Sequence, residues 1–171
     1  AGTSFTAKVD DCCRISASVA PNGHINNPDK QYTLSTNVTF VGDSCPVSIQ
    51  VPIVNCPYPA LCTFSVPASD ANSDTLRWRL ATPLEASAAG SGLVQPGPPN
   101  APNTATIIAT SGLYTWNTTG ATLAGGGLNT LYSTQVIIED LTPQRVVKCR
   151  TPVDFLIQLV PVVVANGPPV C

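Results

Sequence analysis

Three oxygen-bearing side chains at alternate positions, Asp70, Asn72 and Asp74, stand in the polar stretch Ser69-Asp-Ala-Asn-Ser-Asp-Thr-Leu-Arg-Trp78. Side chains of this kind either accept hydrogen bonds from their own turn or gather as hard ligands around a cation. Other groups able to do chemistry are sparse. The one histidine, His24, lies in a loop dense in Asn, Pro and Gly, where a solvated side chain is a plainer reading than a catalytic base. With a single histidine, neither a Ser/His/Asp order nor a Cys/His dyad is suggested. Asp70, Asp74, Glu85, Glu139 and Asp140 would serve glycoside hydrolysis only as a pair across a groove that the sequence does not reveal. Gly125-Gly126-Gly127 lacks the Lys-Ser/Thr that follows a phosphate loop. No enzyme is expected.

The cysteines carry a clearer message. Seven are present, at 12, 13, 45, 56, 62, 149 and 171, without the paired spacing and histidines of a zinc site. They read as a disulfide framework, which places the chain in an oxidising, extracellular compartment and implies a cleaved signal peptide upstream of Ala1. Cys56-Pro-Tyr-Pro-Ala-Leu-Cys62 spans few residues and is the pair most readily closed. Cys12 and Cys13 are adjacent in an extended run, where neighbouring side chains face opposite ways, so each is expected to bond elsewhere. Cys171 is expected to close on Cys149 or to reach another molecule.

Composition excludes several partners. Only 11% of the 171 residues are charged and the net charge is −2, so no basic field exists for nucleic acid or an anionic membrane. No apolar run reaches the roughly 18 residues that span a bilayer, so membrane insertion is not expected. Thr, Ser, Val, Pro and Gly dominate and Met is absent, a composition for short strands and turns.

The elements that would position these groups are strands. Alternation predicts strands at 4–9, 14–19, 32–40, 47–54, 62–66, 75–80, 106–109, 112–116, 132–139 and 153–160. In 32–40, Tyr32, Leu34, Thr36, Val38 and Phe40 form the face expected to be buried, which leaves the sequon Asn37-Val-Thr39 on the exposed face. A second sequon is Asn117-Thr-Thr119. Leu76, Trp78 and Leu80 share a core face opposite Arg77 and Arg79. Residues 21–30 and the Pro-rich stretch 81–104 read as surface excursions. Val160, Val162, Val163 and Val164 follow the last strand and are candidates for an edge strand, a linker or a segment inserted into a neighbouring subunit.

The order of Ser69-Asp-Ala-Asn-Ser-Asp74-Thr-Leu, Ser111-Gly-Leu-Tyr-Thr-Trp116, Thr134-Gln-Val-Ile-Ile-Glu-Asp140 and Val153-Asp-Phe-Leu-Ile resembles Ig-like and cadherin-like repeats of extracellular proteins, over about residues 61–160. The resemblance implies an all-β chain: an antiparallel β-sandwich over 56–160, disulfide-stabilised, with an additional N-terminal β region at 1–55 and an apolar tail at 161–171. It also suggests Ca2+, with Asp70, Asn72 and Asp74 as ligands and Glu139 and Asp140 nearby. Against that, an EF-hand-like series would need Glu where Ala81 stands, Glu85 is displaced, and an Asx-rich turn capping its own backbone is the alternative. The function expected is a noncatalytic structural subunit or repeat of an extracellular glycoprotein fibre, surface layer or appendage. Its partners would be copies of itself or tandem neighbouring domains, joined by strand addition through a terminal segment. The alternative is an adhesion module binding glycan or protein through its loops.

Overall fold

The computed structural model describes residues 4–19, 21–39, 42–87 and 92–162. Among them the chain is all-β: strands β1 (Ser4–Asp11), β2 (Tyr32–Thr39), β3 (Ile53–Tyr58), β4 (Leu61–Ser65), β5 (Thr75–Leu80), β6 (Thr106–Ile107), β7 (Leu113–Asn117), β8 (Leu131–Leu141) and β9 (Val147–Pro161), with a single 3-10 turn at Ala124–Gly126. They form three sheets, ordered β1-β2, β3-β9-β8-β5 and β4-β7-β6. All pairings are antiparallel except β3 with β9, where Ile53 lies beside Leu156.

Alternation decides which faces meet. Trp78 of β5, Tyr132, Val136 and Ile138 of β8, and Phe155, Ile157 and Leu159 of β9 form one wall of the core, and Cys62, Tyr114 and Trp116 form the other. The ring of Tyr114 stacks on Phe64 at 4.8 Å, and Trp116 meets Tyr132 edge-on at 4.9 Å across the two sheets. Each fully buried ring of this size contributes roughly 1.5–3 kcal/mol over its exposed state. The polar tips are satisfied: Tyr114 Oη donates to Thr134 Oγ1, and Trp116 Nε1 donates to the Asn103 carbonyl. Gly112, at φ 67°, sits where a Cβ would lie 2.8 Å from Trp78 Nε1, so the β6–β7 turn needs a residue without a side chain.

The outer face of the larger sheet is covered as well, and β8 is consequently buried along its whole length. Its cover corrects several expectations. Residues 14–19 are not a strand; Arg14 instead reaches Asp154 of β9 with two parallel hydrogen bonds of 2.7 Å. Residues 21–30 are not a surface excursion, since His24, Asn26 and Asn27 are buried against β8. The Pro-rich connection after β5 also turns inward at Ala86, Leu93, Pro96 and Gly97, where composition suggested a surface insertion. In β2 the buried residue is Thr33, not its apolar neighbours: Gln135 Nε2 donates to the Thr33 carbonyl, so the polar face meets the sheet. Phe40 lies outside the described residues. The 47–54 strand shrinks to a bridge between Val47 and Ser69 followed by β3, and β9 starts at Val147, well before residue 153.

Three disulfides are described. Cys56 bonds Cys62, the pair its short spacing suggested, and links β3 to β4. Cys45 bonds Cys149, which excludes a Cys149–Cys171 bond; Cys171 lies outside the described residues. Cys12 bonds Cys13, contrary to the expectation from strand alternation. The reason is local: β1 ends at Asp11 and Cys13 takes φ 74°, so the two side chains no longer alternate across a strand.

Candidate functional site

Four aspartates from three parts of the chain converge where the N-terminal region enters the sandwich. Asp70 and Asp74 belong to the turn between β4 and β5, Asp140 stands near the end of β8, and Asp43 lies in the segment leading to β3. The Cys45–Cys149 bond ties the Asp43 segment to β9 directly across from Asp140, because Asp140 pairs with Cys149 in the β8–β9 ladder. Carboxylate oxygens of Asp43, Asp74 and Asp140 all lie within 4.8 Å of one another.

The charge in this cluster is not balanced. Lys148 at the start of β9 pairs with Asp43 Oδ1 at 2.5 Å and with Asp74 Oδ2, and one ammonium serves the whole group of carboxylates. These carboxylates hold the Lys148 pKa above its ordinary value. Asp140 is fully buried; its Oδ1 accepts from the Cys149 N–H while its Oδ2 has no hydrogen-bond partner. Asp70 Oδ2 and Asp43 Oδ2 are likewise buried and unpartnered. Burial, reinforced by the neighbouring Asp43 and Asp70, pushes Asp140 up to about 6. Buried carboxylate oxygens without donors are costly in a protein interior unless a cation or proton completes them.

The residues therefore fit a hard divalent cation. An all-carboxylate donor set suits Ca2+ and is poor for zinc or copper. The set differs from the one the turn alone suggested. Asp70 Oδ1 does cap its own turn, accepting from the N–H groups of Asn72 and Asp74 at 2.9 and 3.0 Å, but its second oxygen remains available. Asn72 is committed to the N–H and hydroxyl of Ser44. Asp43 was not legible as a ligand, because only the connectivity of Cys45 brings it to Asp140.

The remaining acidic candidates are occupied. Glu139 projects from the opposite side of β8 and is 1% exposed; Arg77, Arg79 and Arg150 all contact it, at 2.6 to 3.1 Å. Burial alone would raise its pKa, but the hydrogen bonds from Arg77 and Arg79 outweigh it and hold Glu139 below the ordinary value. Glu85 pairs with Arg79 through both oxygens and is held down to about 2 by that bond.

His24 has a nucleophile beside it: Nε2 is 3.1 Å from Ser133 Oγ. Both side chains are buried, and Ser133 contributes to the lining of a cavity of about 390 Å3 shared with Arg14, Ile15 and Asp154. Ser133 is fully buried, its Oγ also accepts from Asn27 Nδ2, its N–H is spent on Asn26, and His24 Nδ1 faces the Ile15 carbonyl with no carboxylate behind it. Desolvation lowers the His24 pKa, so the ring is neutral at pH 7.

Both sequon asparagines are exposed. Asn37 Oδ1 accepts from Thr6 Oγ1 at 2.6 Å, and Asn117 Oδ1 accepts from the Thr119 N–H at 3.1 Å. Of the valines considered for intersubunit pairing, Val160 is already committed to β9, opposite Pro57 of β3. Val162 is exposed just beyond it, and Val163 and Val164 lie outside the described residues. No protein-family model matches the chain, and no curated protein matches it.

Proposed function

We propose that this chain is a noncatalytic structural module of an extracellular glycoprotein, an Ig-like or cadherin-like sandwich that joins to copies of itself or to neighbouring domains and is braced by Ca2+ where the N-terminal region meets the sandwich. The observation that carries the reading is the cluster of Asp43, Asp74 and Asp140 with Asp70 beside it, whose unpartnered buried oxygens stand at a junction between chain segments. A cation there cross-links the entering segment, the β4–β5 turn and β8.

The strand order supports the Ig-like part. Seven strands from β3 to β9 fall into two facing sheets, with the chain crossing between them at β3–β4, β4–β5, β5–β6 and β7–β8. The first strand runs parallel to the last, unlike the antibody constant arrangement in which the first pairs with the second. Three disulfides support an oxidising compartment. Glycans at Asn37 and Asn117 complete the reading. Recognition through the 22–30 and 90–102 loops has less support, because Asn26, Asn27 and Gln95 spend their amides on Val94, Ser133, Ala81 and Gln135.

Electron microscopy of the purified chain in calcium and in chelator tests this function, with a chain ending at Val162 as the comparison. Ordered assemblies that need calcium and residues 163–171 are expected. A monomer under all conditions would remove the assembly claim, and covalent labelling of Ser133 by a serine-directed fluorophosphonate would overturn the noncatalytic one.

A further inference from the structure

We infer that the space between the β1–β2 hairpin and the sandwich is a seat for the first sugars of a glycan carried by Asn37, so that the glycan joins the two layers. The inference rests on the glycoprotein reading above and adds a position and a role to one of its glycans. The hairpin lies on the sandwich with its polar side inward: Thr33, Ser35 and Asn37 face β8 and β9, while Val9 on the other side of the hairpin is 58% exposed. Two cavities lie between the hairpin and the sheet among the described residues. One, of about 250 Å3, is lined by Lys8, Ser35, Asn37, Glu85 and Arg150 together with the apolar Ile137 and Pro152. The other, of about 290 Å3, is lined by Ser4, Thr6, Asn37 and Arg150. Asn37 and Arg150 line both.

The chemistry of the lining matches a sugar. Hydroxyls need donors and acceptors in pairs, and the ring's C–H faces need apolar contact. The serine and threonine hydroxyls accept, Lys8 and Arg150 donate, and Ile137 with Pro152 supplies the apolar surface. Arg150 spends only Nε, on Glu139, which leaves its terminal nitrogens uncommitted among the described residues. The Asn37 amide is held by its oxygen, through Thr6, and among the described residues its Nδ2, the atom that bears an N-linked glycan, makes no hydrogen bond. Asn117 provides an internal contrast, because it stands exposed at the end of β7 and lines neither cavity.

The experiment uses the chain secreted from a glycosylating host, with occupancy at each sequon read by glycopeptide mass spectrometry. Release of each glycan by peptide N-glycosidase is then followed on the folded protein. A seated glycan is exposed only by local opening, so the Asn37 glycan is expected to leave roughly tenfold more slowly than that on Asn117, and at the same rate after denaturation. The variant N37Q is expected to lower the thermal midpoint by about 3 °C and N117Q to leave it unchanged. Equal release rates from the folded protein overturn the seat without recourse to either variant. Occupancy at Asn117 alone also overturns the seat and leaves the glycoprotein reading standing, whereas two empty sequons overturn both.

Discussion

Glu139 and Asp140 are neighbours in β8 yet live in opposite electrostatic worlds. Glu139 points to the outer face of the sheet, where three arginines meet it, and Asp140 points toward Asp43 and Asp74, which share one lysine, with Asp70 near enough to raise its pKa. Strand alternation is the whole cause. One carboxylate is over-supplied with positive charge and the other under-supplied, and the two should respond oppositely to mutation.

Removing the charge of Glu139 should hurt. In Glu139→Gln, Arg77, Arg79 and Arg150 lose their shared partner beneath the cover of the outer face. Breaking a fully buried ion pair costs about 3–5 kcal/mol, and because the arginines are 30 to 41% exposed the loss here should be nearer 2 kcal/mol. Chemical denaturation at pH 7 in excess calcium reads it.

Removing the charge of Asp140 should help when calcium is absent. Its pKa rises from 3.8 to about 6 on folding, so the folded state binds more protons between those values. That contribution to stability is present below about pH 3.8 and is lost as pH rises through 6. In chelator at pH 7, Asp140→Asn is therefore expected to melt higher than the parent, by a margin that shrinks as pH is lowered from 7 to 4 and the parent's Asp140 takes up its proton. Saturating calcium should reverse the order, since a ligand at about 100 times its Kd adds about 2.7 kcal/mol to the parent alone.

His24 sets an opposite acid limit. Its pKa is lowered by burial, so the unfolded chain takes up a proton at higher pH than the folded one. The His24 contribution to stability should fall as pH drops below about 6.5. The loss should appear first in hydrogen exchange of the residues His24 holds, Ile15 and Ser133, and disappear in His24→Asn if that variant keeps the cover in place.

The three disulfides should differ sharply in weight. Cys45–Cys149 joins positions 104 residues apart, and the Cys45→Ser/Cys149→Ser pair is expected to lose about 4–5 kcal/mol by loop closure alone. It should also weaken calcium binding, because Asp43 is no longer held near Asp140. Cys12–Cys13 closes no loop, and its replacement by serines should leave the denaturation midpoint almost unmoved.

Much of the sandwich was legible because its signals are local. Leu76, Trp78 and Leu80 alternate with arginines and form β5 within the bounds expected, and Asp70 caps its own turn as an Asx residue does. The N-terminal region was not, because what decides it is tertiary. Asn26 and Asn27 look like loop residues in any local window, and only Ser133 and Val94, more than sixty residues away, give their amides a reason to be buried. Thr33 is buried over Leu34 for the same kind of reason, since its carbonyl accepts from Gln135 and its hydroxyl donates to Asp10, partners remote in sequence. Asp43 escaped notice because cysteine spacing does not reveal connectivity.

The central claim is that the four aspartates form a divalent-cation site at the junction between the N-terminal region and the sandwich. Isothermal titration of calcium into chelator-treated protein near pH 6, in two buffers of different ionisation enthalpy, tests it directly. One bound ion per chain, with a fraction of a proton released from Asp140 as it binds, is the result expected. Absence of binding at millimolar calcium, or binding unchanged in Asp140→Asn, would contradict it.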